Sequence, residues 1–456
     1  VSTPLPQLIT SENATVERRR NYARFRAIYE GTPPHALRRA KNRRRSVRNW
    51  GALVVDTVTS YMGDPSIQLG DTGEQNAAEA YLAEIYRRER LPARDYETEV
   101  ACAVDGDAVW KVTWDDRERR VRVSAVDPAR VYALTRPDDL EEVELFAEQY
   151  TMRAEDGPIL FNQHLRSLNT TRATVTITEE WTPTAWRIWV NNDLEQDAPN
   201  PYGVIPYVHA CNYRNPYRLW GASDIGRVEG ILETIDQAEW DNDDTMALAG
   251  LLVILTNVDE QADLAVAPGA IWSLPEAAQA STLDVLRGNL GGQRLAYLDH
   301  LTATLQQLSR TPSTALGGSG GPNTNVSGLA LQVQLGPILR LVARKRRTRS
   351  VAYEARAALM LRLAAMFGGL PESSAQLTPS VHWSETVPTD RRDALEAAEI
   401  EARLGRDLVE VLRSIGVENP AEELAARLRQ RSHGLDPSAQ REETPDGRPD
   451  PKPARP

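Results

Sequence analysis

Cysteine is nearly absent: only Cys102 and Cys211 occur in 456 residues. They stand far apart, with no C-x-x-C pair and no Cys/His spacing suited to zinc, which argues against a disulfide framework or a metal site. Long apolar runs are missing as well, and no segment approaches the ~20 apolar residues that a membrane helix needs. The first residues, VSTPLPQLITSENATVERRR, lack the basic-then-apolar order of a secretory signal, so synthesis in the cytoplasm is expected. A net positive charge is also lacking. The formal balance is -11, which argues against a protein that coats nucleic acid by neutralising phosphates.

Catalytic signatures are equally scarce. The six His are scattered, and none makes an HExxH pair. Gly317, Gly318, Ser319, Gly320 and Gly321 satisfy G-x-S-x-G, but a nucleophile elbow needs a strand before it and a helix directly after it. Here a leucine-rich helical segment precedes the run and more polar linker follows, so a hydrolase using Ser319 is the remote alternative. The same run lacks the Lys-Ser/Thr of a phosphate-binding loop. Asp241, Asp243 and Asp244 fan out by about 100° per residue if helical, so they do not converge on a cation. Neither enzymatic activity nor a cofactor is expected.

What is present is patterned charge and helical periodicity. A chain of this length suits two or three packed regions. Twelve Lys and Arg between Arg18 and Arg48, Arg43, Arg44 and Arg45 among them, read first as a solvated helix face or a contact for acidic neighbouring subunits, and second as a DNA contact. A further basic cluster, Arg344, Lys345, Arg346 and Arg347, is a candidate DNA or subunit contact. Helices are expected over residues 17–30, 47–62 and 77–90, the second ending at Gly63 and Pro65. Alternating segments at 109–114, 121–126, 143–150, 174–181 and 186–190 predict strands, the last two forming a hairpin. Together they suggest an α+β region over 101–209 covered by the N-terminal helices.

Beyond it the pattern turns helical. Ile225, Val228, Leu232 and Ile235 share one face of a helix expected over 223–250, about 40 Å long at ~1.5 Å per residue. Glu229, Glu233, Asp236 and Asp243 repeat at near-helical intervals on a neighbouring acidic face, turned toward DNA or toward a neighbouring subunit. Short strands are expected at 251–254 and 270–274, a helix at 293–310, and a flexible loop through Gly317, Asn323 and Asn325. A long helix over 327–367 should kink at Pro337. Shorter helices follow at 391–404, 407–415 and 421–430, and the polar, Pro-rich tail from 434 should be disordered. The fold class is α+β, predominantly helical, with long helices plus small β regions.

Several segments carry a resemblance. YGVIPYVHACN holds Gly203, Pro206 and Asn212, and GASDIGRVEG follows it with Gly221, Ser223 and Asp224. SGLALQVQL opens with Ser327 and Gly328, while NWGALVVDTVTSYMGDP and VHWSETVPTDRRDALEAAEI stand near either end. In this order, over nearly the whole chain, they resemble the portal proteins of long-tailed bacteriophages (siphovirus type). That resemblance implies a homo-oligomeric, mostly dodecameric ring at the capsid vertex through which double-stranded DNA is packaged and ejected. It also implies a virion component, made in the host cytoplasm, that meets the terminase large subunit, a head-completion adaptor, and major capsid and scaffolding proteins, with no membrane partner. A capsid connector component without a channel is the alternative. The regions implied are a flexible N-terminus (1–16), a wing (17–219), a stem helix (220–250) and a clip (251–292). A second stem helix (293–310), a tunnel loop (311–326), a long helix returning to the wing (327–390), crown helices (391–431) and a disordered tail (432–456) complete the chain.

Overall fold

The computed structural model describes residues 4–35, 47–69, 75–156, 173–249, 253–256, 279–282, 290–316, 328–384, 398–414 and 424–425. The chain divides into two compact units, Val1–Thr386 and Val387–Pro456.

The first unit opens with helices α1 (Leu5–Ser11) and α2 (Asn13–Tyr29). The expectation of a flexible segment over 1–16 is therefore corrected from Leu5 onward. Leu5 and Ile9 are one helical turn apart, and Ile9 is fully buried against Tyr132 and Ala147. That small apolar face, with Pro6 accommodated in the first turn, anchors the segment. Helix α3 (Trp50–Ser60) is capped by Asn49, whose side-chain oxygen accepts from the Ala52 N–H at 3.1 Å. Strand β1 (Pro65–Leu69) follows directly and pairs antiparallel with β12 (Pro379–Trp383), so two motif-bearing segments distant in sequence form one ribbon.

Helices α4 (Gln75–Arg88) and α5 (Leu91–Asp105) come next. The second was not expected, because its inward face is carried largely by Asp95, Thr98 and Glu99, which hide the apolar period. Strands β2 (Asp107–Asp115) and β3 (Arg120–Val126) join β9 (Tyr207–Cys211) in a three-stranded sheet with β2 at its centre. Between them runs an antiparallel meander of β4 (Val131–Thr135), β5 (Val143–Arg153), β6 (Thr174–Trp181), β7 (Ala185–Val190) and β8 (Asp193–Pro199). The expected hairpin is present as β6 and β7, with Trp181 opposite Trp186.

Helix α6 (Asp224–Ala249) packs against α7 (Leu290–Ser309), and between them β10 (Val253–Thr256) pairs antiparallel with β11 (Gln279–Thr282). The strand partner is thus 279–282, and 270–274 lies outside the described residues. Helix α8 (Gly328–Phe367) runs for 40 residues and continues through Pro337.

Two cores result. In one, Tyr353, Met360 and Leu363 of α8 pack with Val112, Val121 and Val123 of the three-stranded sheet and with Leu82 and Ile85 of α4. The sheet is therefore covered by α8 as well as by the N-terminal helix α4, and α8 is the element that the expectation left out. In the other, Ile225, Val228, Leu232 and Ile235 of α6 meet Ile28, Val54, Val55, Val104, Leu301 and Leu305, so the stripe read from the sequence is a packing face. The chain is a mixed α/β protein with antiparallel sheets. The second unit has a helical stretch at 398–403 and α9 (Leu408–Ser414).

Candidate functional site

The residues singled out in the YGVIPYVHACN and GASDIGRVEG segments converge on one joint, where α5 ends, β9 ends and α6 begins. Gly106 closes α5 with φ of 105°, a left-handed conformation that glycine adopts without strain. Gly221 passes so close that a Cβ there would lie 2.3 Å from the Gly106 carbonyl oxygen. Its N–H donates to Asp107 Oδ1 at 2.7 Å. Asn212 is buried, donates its N–H to the Gly106 carbonyl at 2.8 Å, and donates its side-chain amide to the Ala222 carbonyl at 3.2 Å. Ser223 Oγ accepts from the Gly226 N–H at 3.2 Å, which satisfies a free donor of the first turn, and itself donates to the Val104 carbonyl. Upstream, Gly203 takes φ of 62°, and the Pro206 carbonyl accepts from Val112 N–H at 2.9 Å.

Around this joint lies a row of buried ion pairs that the sequence reading missed. Arg349 is fully buried and donates to both oxygens of Glu99, at 2.6 and 2.9 Å, as well as to Asn212 Oδ1 at 3.2 Å and the Cys211 carbonyl. Arg356, also fully buried, grips both oxygens of Asp95 at 2.5 and 2.6 Å and lies over the rings of Trp110 and Tyr353. Lys345 donates to Asp224, whose other oxygen accepts from Tyr213 Oη at 2.5 Å. Burial opposes the charge of both arginines, but their carboxylate partners outweigh it, and each guanidinium titrates above its ordinary range. Asp95 and Glu99 sit four residues apart on α5, facing cations seven apart on α8. Charges at helical spacing in segments otherwise rich in Ala, Leu and Val are the signal that could have revealed them.

A second polar group adjoins the joint. His209 Nε2 meets Asp107 Oδ1 at 2.8 Å, and Tyr22 Oη donates to Asp107 Oδ2 at 2.5 Å. Burial alone would lower the His209 pKa, yet the bonds to Asp107 and Cys211 raise it to about 10. Asp107, His209 and Cys211 are the trio of possible cation ligands within 4.8 Å of one another among the described residues. Their atoms are already engaged: Asp107 as above, and Cys211 Sγ donating to the Leu219 carbonyl at 3.1 Å. Burial pushes the Cys102 thiol well up, so it is no ready thiolate.

The acidic face expected on α6 divides. Glu229 pairs with Arg24 of α2 at 2.8 Å, and Asp236 is buried against His35 Nε2 at 2.8 Å, so both are engaged within the chain. Desolvation raises the Asp236 pKa, with His35 pulling it back. Glu233 and Asp243 are exposed. Of the basic candidates for a DNA or subunit contact, Lys345 is corrected to a core ion pair, because its ammonium is buried against Asp224. Arg346 is half-buried and donates to the carbonyls of Met62 and Ser384, at 2.8 and 2.9 Å, while Arg344 and Arg347 are exposed. In α2, Arg18 donates to the carbonyls of Pro128 and Val131, and Arg26 bridges Asp105 and Asp127, so these charges serve the chain itself. Arg43, Arg44, Arg45, Gly317, Gly318, Ser319, Gly320, Gly321, Asn323, Asn325 and Ser327 lie outside the described residues, and Gly328 begins α8.

This arrangement braces and aligns; it presents no activated nucleophile and no open cation site among the described residues. Fold and joint define a mixed α/β protein whose long helices are tied together by buried ion pairs. The chain belongs to the phage portal proteins, in the SPP1 Gp6-like family, whose model matches residues 11–432 of 456. No curated protein matches the chain.

Proposed function

We propose that this phage portal protein forms a closed ring at one capsid vertex and conducts double-stranded DNA during packaging and ejection. The family match over most of the chain carries the reading. The antiparallel pair α6 and α7, tipped by the β10–β11 ribbon, supports it as a stem bearing a clip, on which the terminase motor and later the head-completion adaptor would dock. Residues 17–219 are assigned to the wing, 311–326 to the tunnel loop and 391–431 to the crown. A net charge of -11 suits a conduit, since each neutralised phosphate would add affinity and slow sliding. In a head-assembly reaction, omitting the chain should leave heads without DNA and adding it should fill them. Heads that fill equally well without it would overturn the proposal.

A further inference from the structure

Among the described residues, helix α8 leaves one face without a partner. Val333, Arg340, Arg344, Arg347 and Val351 follow one another at intervals of seven, four, three and four residues, which sets them in a single stripe about 27 Å long. All five are exposed, the two valines at 71% and 63%. Among the described residues none of these arginines meets a carboxylate, although Arg344 lies over the Tyr213 ring at 5.7 Å. The contrast with Lys345, Arg349 and Arg356 on the same helix is sharp, because each of those is paired inside the chain.

A stripe of arginines bounded by exposed valines has the composition of a protein contact. Arginine is enriched in such interfaces, where its stem covers apolar surface while its head meets an acid. Phosphates alone would give the valines nothing to pack against. The same chain carries the complement on its α6–α7 hairpin. Glu233 and Asp243 on α6 and Asp299 on α7 are exposed and have no cationic partner among the described residues, while Leu295 and Tyr297 of α7 are 60% and 51% exposed. Among the described residues no ion pair joins these acids to the three arginines within one protomer, which leaves both surfaces open to a second copy. Joining two different surfaces on successive copies is a heterologous contact, the kind that closes into a ring.

We infer that the Arg340, Arg344 and Arg347 stripe of one protomer docks on the acidic α6–α7 hairpin of the next. This rests on the ring proposed above, and subunit mixing tests the two separately. Arg344→Glu/Arg347→Glu spoils one face, and Glu233→Arg/Asp299→Arg spoils the other. By native mass spectrometry, each variant alone should need at least tenfold more protein than the wild type to form rings. An equimolar mixture should restore rings of alternating subunits, which an unfolded variant could not do. Rings from either variant at wild-type concentration, or no restoration on mixing, would overturn the inference while leaving the ring itself standing. Intact rings of Arg344→Glu/Arg347→Glu that lose DNA retention would assign the stripe to DNA and overturn it too. A wild type that never assembles would contradict the ring proposal and this inference together.

Discussion

Arg349 shows how a charged side chain can serve as a core residue. Its guanidinium has no solvent contact, yet it makes paired bonds to Glu99 and touches the joint through Asn212. Removing one partner of such a pair strands the other, which costs about 3–5 kcal/mol. Arg349→Ala should therefore lower the unfolding free energy by about that amount in urea titrations. Arg24→Ala, which breaks a partly exposed pair with Glu229, should cost about 1 kcal/mol or less. Equal losses for the two would contradict the distinction. His209 gives a pH signature. Its pKa is raised from 6.5 to about 10 in the folded chain, so its stabilisation is complete below about pH 6.5 and vanishes as pH rises through 10. The stability gap between wild type and His209→Gln should narrow over that window, and a gap that stays constant or widens would refute the assignment. The Ser223 cap on Gly226 depends on neighbours only three residues apart, the kind of contact that a sequence can show. The burial of Lys345 was illegible, because its partner Asp224 lies 121 residues distant.

At the scale of elements, what the sequence revealed follows the regularity of each apolar period. Helix α6 was evident from Ile225, Val228, Leu232 and Ile235, and it spans Asp224–Ala249 against an expected 223–250. Helix α5 was not, because Asp95 and Glu99 occupy inward positions where periodicity calls for apolar residues. The acidic face of α6 was visible as a pattern, but its division between intramolecular pairs and open carboxylates depends on where α2 and His35 lie. The glycine-rich segment 317–325 lies between α7 and α8 in the sequence, within the stretch proposed as the tunnel loop. Shortening the segment should impair packaging in a head-filling assay while ring assembly proceeds. Normal filling by the shortened chain would remove the tunnel-loop role.

Over the whole molecule, the buried pairs of α5 with α8 and the joint at the start of α6 fix the α6–α7 hairpin to the sheets. A rigid connection of this kind suits a subunit whose copies must repeat one angle until a ring closes. The family was legible in the sequence because its marks are local strings, Gly221 through Asp224 above all. Their physical purpose emerged only with the fold, which shows Gly221 bare because the Gly106 carbonyl leaves no room for a side chain. Electron-microscopic imaging of the purified full chain tests the central claim most directly. Closed discs with an axial opening are predicted, and a population of monomers or open filaments would contradict it.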